Sequence, residues 1–321
     1  MRSSTSWLIK LCSYVPTAVM ALIIILFIIL TGGKILSPIN MTAFLERVSV
    51  LIICASGMIF IIAQGGIDLS AGALVGFVGT VSCMLADRYG FALLFPLAIL
   101  MGGLFGLING LLVTKAKISS FLTTLCVSMI LRAAMGLLLS TTSFIASKSI
   151  RALMDFWILI PLLLALCVLT FYLYERTPIG YYLRAIGENE IASRYAGVST
   201  DWIKILGFTI SGVMSGLAGI LTVSRLGSAT NTTGTMFELQ TMIAIFLGGV
   251  LVTGGRSAKY YKVILGCITY MFLDNGMSIL RVDNLLNQCI RGTMLILIVS
   301  ITIFCDKLQN KRSGNKLSVT L

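Results

Sequence analysis

The chain has 321 residues, of which 57% are hydrophobic and only 11% charged, well below the roughly 25% charge of soluble domains. A mean hydropathy of +1.00 excludes a water-solvated globular fold, and the absence of histidine removes the commonest metal ligand and the usual neutral-pH proton carrier. The net charge of +12 is spread over polar breaks between apolar runs, so it reads as loop charge at a membrane face and not as a nucleic-acid patch.

In chain order, apolar runs near the length of a bilayer crossing, about 20 residues, predict spans at 15–31, 48–64, 71–86, 91–113, 119–140, 156–174, 205–222, 237–253, 262–280 and 287–304. Barrel strands would alternate apolar and polar residues, and these runs do not. The fold class is therefore an all-α polytopic membrane protein with about ten transmembrane helices, or eight to ten if the short runs on either side of Gly65 form a broken element. The first run reads as an uncleaved span, because no small-x-small exit lies near Thr31 and many spans follow. Most of the 24 lysines and arginines fall on one side of this arrangement. That side is the cytoplasm and holds both termini, in a multi-pass protein of a bacterial inner membrane. The chain is one membrane domain, 1–321, with a cytoplasmic loop at about 175–204 and a cytoplasmic tail at about 305–321.

Gly106-Leu-Ile-Asn109-Gly110-Leu-Leu-Val in the fourth span resembles Phe272-Leu-Asp274-Asn275-Gly276-Met-Ser-Ile in the ninth. Each is followed by a span carrying one arginine, Arg132 or Arg291. Two five-helix halves fit, and an odd number of spans per half makes the repeats inverted. An arginine at mid-membrane costs about 2.5–3.5 kcal/mol on insertion scales, so Arg132 and Arg291 are expected to snorkel toward the boundary, the default, or to find a polar partner.

The sharpest local feature is Gly65-Gly66-Ile67-Asp68-Leu69-Ser70-Ala71-Gly72. Paired glycines permit a break in the helix, and the backbone groups that it frees need partners or a wet cavity. Asp68 and Ser70 are placed to cap a helix beginning near Ala71. A capped turn and a break lining a transport path both fit. Asn109, Gln240, Asp274 and Asn275 suit a path for a neutral hydroxylated solute, and interhelical hydrogen bonding accounts for them as well.

The long loop holds a second feature. Asn189 can cap a short helix with Glu190 in its first turn, Ile191 and Tyr195 on one face, and Gly197 as terminator. Docking into a partner's groove and lying on the membrane surface are the two readings of such a helix. The eight cysteines are scattered singly with no metal-ligand spacing and read as packing residues. No Gly-x-x-x-x-Gly-Lys-Ser/Thr run exists, so a phosphate loop for ATP must belong to another chain.

These stretches in order resemble the permease subunits of bacterial ABC importers for ribose and related monosaccharides. The resemblance is carried by residues 65–72, by 106–113 with Ile118-Ser-Ser-Phe-Leu-Thr-Thr-Leu125, by Arg184-Ala-Ile-Gly-Glu-Asn-Glu-Ile-Ala-Ser-Arg-Tyr-Ala-Gly197, and by Leu247-Gly-Gly249, Gly254-Gly-Arg256 and Asp274-Asn-Gly276. It implies a permease that pairs as a homodimer or heterodimer within the lipid. ATPase subunits would dock on its cytoplasmic loops, and a periplasmic or lipid-anchored binding protein would deliver sugar. ATP and magnesium would be held by the ATPase, and this chain would bind no cofactor or metal and carry no catalytic residue. The coupling loop that the resemblance implies comprises Arg184, Gly187, Glu188, Asn189, Ile191, Ala192, Tyr195 and Gly197. Gly65, Gly66, Asp68, Ser70, Asn109, Asp274, Asn275 and Gly276 are the candidate path or break residues. Two departures stand out. Ser257-Ala-Lys259-Tyr-Tyr-Lys262 brings bulk and charge after Gly254-Gly-Arg256, which implies a remodelled inner loop, and Asp274 precedes Asn275 where the family usually has a second asparagine. The rival mechanism is an ion-coupled secondary transporter using Asp68, Glu238 and Asp274 as ion sites. Branched-chain amino-acid permeases are the rival in substrate.

Overall fold

The computed structural model describes residues 4–140 and 143–283 and, within 285–303, all but 288, 291, 295, 298, 301 and 302; for 4–16 it describes the backbone alone. Its helices are α1 (Ser4–Leu30), α2 (Pro38–Ala63), α3 (Ala71–Tyr89), α4 (Leu94–Thr114), α5 (Ser120–Leu138), α6 (Lys148–Arg151), α7 (Phe156–Phe171), α8 (Pro178–Glu188), α9 (Glu190–Tyr195), α10 (Thr200–Leu226), α11 (Phe237–Leu247) and α12 (Tyr260–Ile279). A two-residue antiparallel pair, β1 (Phe144–Ile145) with β2 (Ser228–Ala229), ties the segment after α5 to the end of α10.

Among the described residues six helical segments are long and apolar enough to cross a membrane: 38–63, 71–89, 91–114, 120–138, 156–176 and 200–226. Helices also cover the predicted first, eighth and ninth spans, but α11 ends at Leu247, six residues before the predicted 253, and Gly249 then takes φ +84°. α2 begins ten residues before its predicted start, with Pro38 as its first residue. Proline is pre-set for that position, and polarity in the first turns hid the start from an apolar-run reading. Most of the predicted tenth span is described only at scattered positions, and Arg291 and the tail 305–321 lie outside the described residues.

The chain forms two compact units. The larger, 45–242 with 252–260, is organised on α10. Within their spans 78% of α10 and 83% of α2 are buried, against 22% for the α4 span and 11% for the α7 span, so α2 and α10 form the centre and α4 and α7 the periphery. Small residues set the centre. A side chain at Gly212 would run into the Gly102 carbonyl, one at Gly219 would come within 2.5 Å of the Val75 carbonyl, and one at Gly216 within 2.5 Å of the Ala98 carbonyl. Gly102, Gly106 and Gly110 face Gly212, Phe208 and Ile205 in turn, an antiparallel seam of glycines spaced four apart. Lipid tails are as apolar as leucine, so close backbone approach, and not the hydrophobic effect, holds such helices together.

The smaller unit contains α1, the first part of α2, the latter part of α11 and nearly all of α12. Here Gly248 and Gly266 meet backbone carbonyls of the facing helix, Gly276 lies against the Phe27 ring, and Phe44 packs on Phe272 at 4.6 Å between centroids.

A methyl group at Gly219 has only backbone to displace, whereas Gly136 has nothing within 4 Å. Gly219→Ala is expected to cost about 1–3 kcal/mol, as overpacking does, and to lower the melting temperature of the detergent-purified chain. Gly136→Ala should leave it unchanged or raise it slightly.

Candidate functional site: a broken helix and the segment that grips it

α2 ends in a paired-bond cap. Gly65 N–H donates to the Ile62 carbonyl (2.9 Å) and Gly66 N–H to the Ile61 carbonyl (3.0 Å), with Gly65 at φ +78°, the left-handed position that glycine fills without strain. The chain then runs non-helically to Ser70. Its freed backbone groups are met from α5: Ile67 N–H donates to Ser120 Oγ (3.2 Å) and Leu69 N–H to Thr124 Oγ1 (3.0 Å).

Asp68 is buried and held by donors alone. Ser70 N–H (2.8 Å) and Ser70 Oγ (2.6 Å) donate to Oδ1, and Ser211 Oγ of α10 donates to Oδ2 at 3.3 Å. Asn109 Nδ2 of α4 donates in turn to Ser70 Oγ at 2.9 Å. The break is thus tied to α4, α5 and α10 at once. Asp68 serves the start of α3 as the sequence leads one to expect, but Ser70 makes no side-chain cap, because its hydroxyl is spent on Asp68. Asn109 Oδ1 is buried and has no partner.

Beside this network lies an ion pair. Glu238, in the first turn of α11, receives Arg132 Nη2 at 3.2 and 3.3 Å, and Arg132 also reaches the Gly234 carbonyl and Thr235 Oγ1. Of the two outcomes expected for Arg132, the guanidinium takes the polar partner and not the default of snorkelling: it meets the Glu238 carboxylate among the helices. Gly72 makes room for it, since a side chain there would occupy the position of the Glu238 carboxylate.

The loop segment takes the form that its residues predict. Asn189 Oδ1 accepts the Ala192 N–H at 2.9 Å. Gly197, at φ +85°, closes α9 with bonds from Gly197 N–H to Arg194 and Val198 N–H to Ser193. Ile191 and Tyr195 are exposed, Tyr195 to 90%. The preceding residues are clamped inward. Gly187 abuts the Ala63 carbonyl at the end of α2, and Glu188 Oε1 accepts the Arg256 N–H at 2.7 Å. Arg184 bonds Glu175 at 3.0 Å and stacks on Tyr174 at 4.9 Å, which holds the loop to the end of the preceding helix. The departure at 257–262 is likewise only partly a surface change. Tyr260 is buried, and its hydroxyl hydrogen-bonds with Ser56 (2.8 Å) and Thr170 (2.7 Å).

Gly65, Gly66, Asp68, Ser70 and Asn109 are thus brought together, while Gly187 abuts the end of α2 and Glu188 holds the turn at Gly255–Arg256. Asp274, Asn275 and Gly276 lie on α12 in the other unit. There Asn275 is buried with Nδ2 unpartnered, and the Asp274 carbonyl accepts the Ser278 hydroxyl at 2.9 Å. The reading from sequence did not identify Ser120, Thr124 and Ser211 as partners of the break. The serine and threonine in 118–125 were the available signal. Among the described residues no group of three His, Cys, Asp or Glu side chains is placed to hold a metal.

Residues 40–299 match the family described as the permease component of branched-chain amino acid transport systems. The chain is 30% identical over 291 residues to the ribose import permease protein of Haemophilus influenzae, covering 87% of this chain and 90% of that one. It is 29% identical to the fructose import permease protein of Rhizobium meliloti (89% and 84% covered) and 30% identical to the autoinducer 2 import system permease protein of Photorhabdus laumondii (84% and 82%). No solved structure matches.

Asp68→Leu strands three donors in the interior and is expected to cost about 2–4 kcal/mol. Asp68→Asn keeps a carbonyl acceptor and should cost clearly less; thermal melting of the two variants gives the comparison. For the ion pair, Glu238→Gln and Arg132→Met each leave a partner unpaired, so the double substitution should cost less than the sum of the two single costs. A coupling of about 1–3 kcal/mol is expected from a double-mutant cycle.

Proposed function

The chain belongs to this permease-component family, and from that premise we propose that it is the membrane-spanning subunit of an ATP-driven importer for a monosaccharide or a similar small hydroxylated solute. The reading includes ten spans in two inverted halves, both termini in the cytoplasm, a second permease subunit, an ATPase that holds ATP and magnesium, and a sugar-binding protein outside. The recurrence of a buried, incompletely bonded asparagine before a closely packed glycine, at Asn109-Gly110 and Asn275-Gly276, supports the repeat. Relatives that import ribose, fructose and autoinducer 2 support a hydroxylated solute over an amino acid.

One observation carries the mechanism: α9 is capped at both ends, presents Ile191 and Tyr195 outward, and is joined through Gly187 and Glu188 to the end of α2 and the turn at Gly254–Arg256. Such a helix fits a groove in an ATPase. Displacement of α9 then moves the end of α2, and the break at 65–70 is where the main chain yields. Asp68, Ser70, Asn109 and Ser211 hold the break shut by hydrogen bonds that solute hydroxyls and water can replace. No covalent chemistry on the solute is required, and alternating access accounts for transport.

The test is reconstitution in liposomes with the cognate ATPase and binding protein. ATP-dependent uptake of labelled ribose, unaffected by an uncoupler, is expected; uptake that collapses with the ion gradient at constant ATP would instead establish secondary transport, and uptake of leucine in place of sugar would overturn the substrate reading. Ile191→Asp with Tyr195→Ala should reduce uptake at least about tenfold while the melting temperature stays within a few degrees.

A further inference from the structure

A groove of about 730 Å³ lies between the end of α4 and the start of α10, where two membrane-length segments, 91–114 and 200–226, both terminate. That position puts it at the boundary between apolar slab and water, on whichever side of the membrane it faces. Its walls are mostly apolar, with Leu107 and Leu111 on α4. The exposed Leu104 and Leu100 continue that wall along the same helix. At its mouth stand Lys115, Arg194 and the exposed Trp202, with one carboxylate, Asp201, which accepts from Lys115 at 3.2 Å and from Arg194 at 3.3 Å. Arg194 also lies 3.6 Å from Glu190, whose other oxygen is taken by Lys204 at 2.5 Å. Counting all five groups, the mouth keeps one positive charge in excess, and both exposed cations retain N–H donors beyond those in use.

We infer that this groove is a binding site for an anionic phospholipid, whose phosphate bridges Lys115 and Arg194 while an acyl chain lies along the leucines of α4. A free phosphate would use the cations and leave the apolar wall empty. A lipid uses both, and Trp202 stands at the level where indole rings sit among headgroups. Cationic side chains at such a boundary favour anionic lipid. Arg194 belongs to α9, so a bound phosphate ties the proposed coupling helix to α4. This last consequence rests on the transport reading; the binding site does not.

The full chain in nanodiscs of phosphatidylcholine with phosphatidylglycerol is the material, and lipid retained through delipidation, read by native mass spectrometry, is the measurement. Phosphatidylglycerol should be retained in preference. Lys115→Gln, which among these groups removes only the contact to Asp201, should lower that preference about threefold, and Lys115→Gln with Arg194→Gln about tenfold or more. Leu111→Trp, which fills the wall and keeps every charge, should lower it as well. Retention unchanged in the double variant, equal retention of both lipids, or displacement by millimolar inorganic phosphate would each overturn the inference. Cross-linking of two copies through Leu111→Cys in native membranes would also overturn it, by making this face a chain-to-chain contact. Sugar uptake that fails with lipid retention intact sinks the transport reading alone. Absence of any phosphatidylglycerol preference in the unmodified chain, with uptake intact, sinks only this one.

Discussion

Backbone N–H and C=O groups have no water to turn to in an apolar interior, and the larger unit is arranged around meeting that demand at residues 64–70. A paired-bond cap at Gly65 and Gly66 satisfies the carbonyl end of α2, Ser120 and Thr124 satisfy the amides of Ile67 and Leu69, and Asp68 gathers the donors at the start of α3. Each unmet group would cost several kcal/mol. Five helices, α2 and α3 on either side and α4, α5 and α10 around it, are consequently committed to one short stretch of chain. Neighbouring helices can move relative to the break only by exchanging hydrogen bonds, which is a natural place for two discrete states.

The glycine seams make that commitment possible and also make it stiff. Contacts between Gly102, Gly106 and Gly212, and between Val75 and Gly219, bring main chains together without side chains between them. This brings Ser211 of α10 within reach of Asp68 and leaves little compliance along α10. The packing along α10 is therefore not soft, and residues 66–70 are the non-helical stretch held against it.

Charge is handled in two ways. Arg132 is paired with Glu238 inside the bundle, over the space left by Gly72, where breaking the pair would leave a poorly hydrated ion. At the end of α4 and the start of α10, Lys115, Arg194 and Asp201 remain in contact with solvent. There each pair contributes little to stability and the excess cation stays available. The same residue types thus carry structure in one place and stay solvated in the other, and burial decides which.

Much of this was legible in the amino-acid order. Apolar run length placed the helices, because a bilayer sets a minimum length for any crossing element. Gly65-Gly66 marked the break and Asn189 with Gly197 marked both ends of α9, because left-handed backbone and helix caps have strong local preferences. What local preference cannot express is which distant groups meet. Sequence reading left Arg132 between the membrane boundary and an unspecified polar partner, since nothing along the chain shows that Glu238 lies within 3.3 Å of it. Tyr260 read only as added bulk in an inner loop, since only the packed helices bring Ser56 and Thr170 to its hydroxyl. The sequence by itself determined a membrane bundle with a broken helix and a short loop helix capped at both ends. The tertiary structure decided that Asp68, Asn109, Ser120, Thr124 and Ser211 form one site, because a hydrogen bond depends on distance in space and is indifferent to separation along the chain.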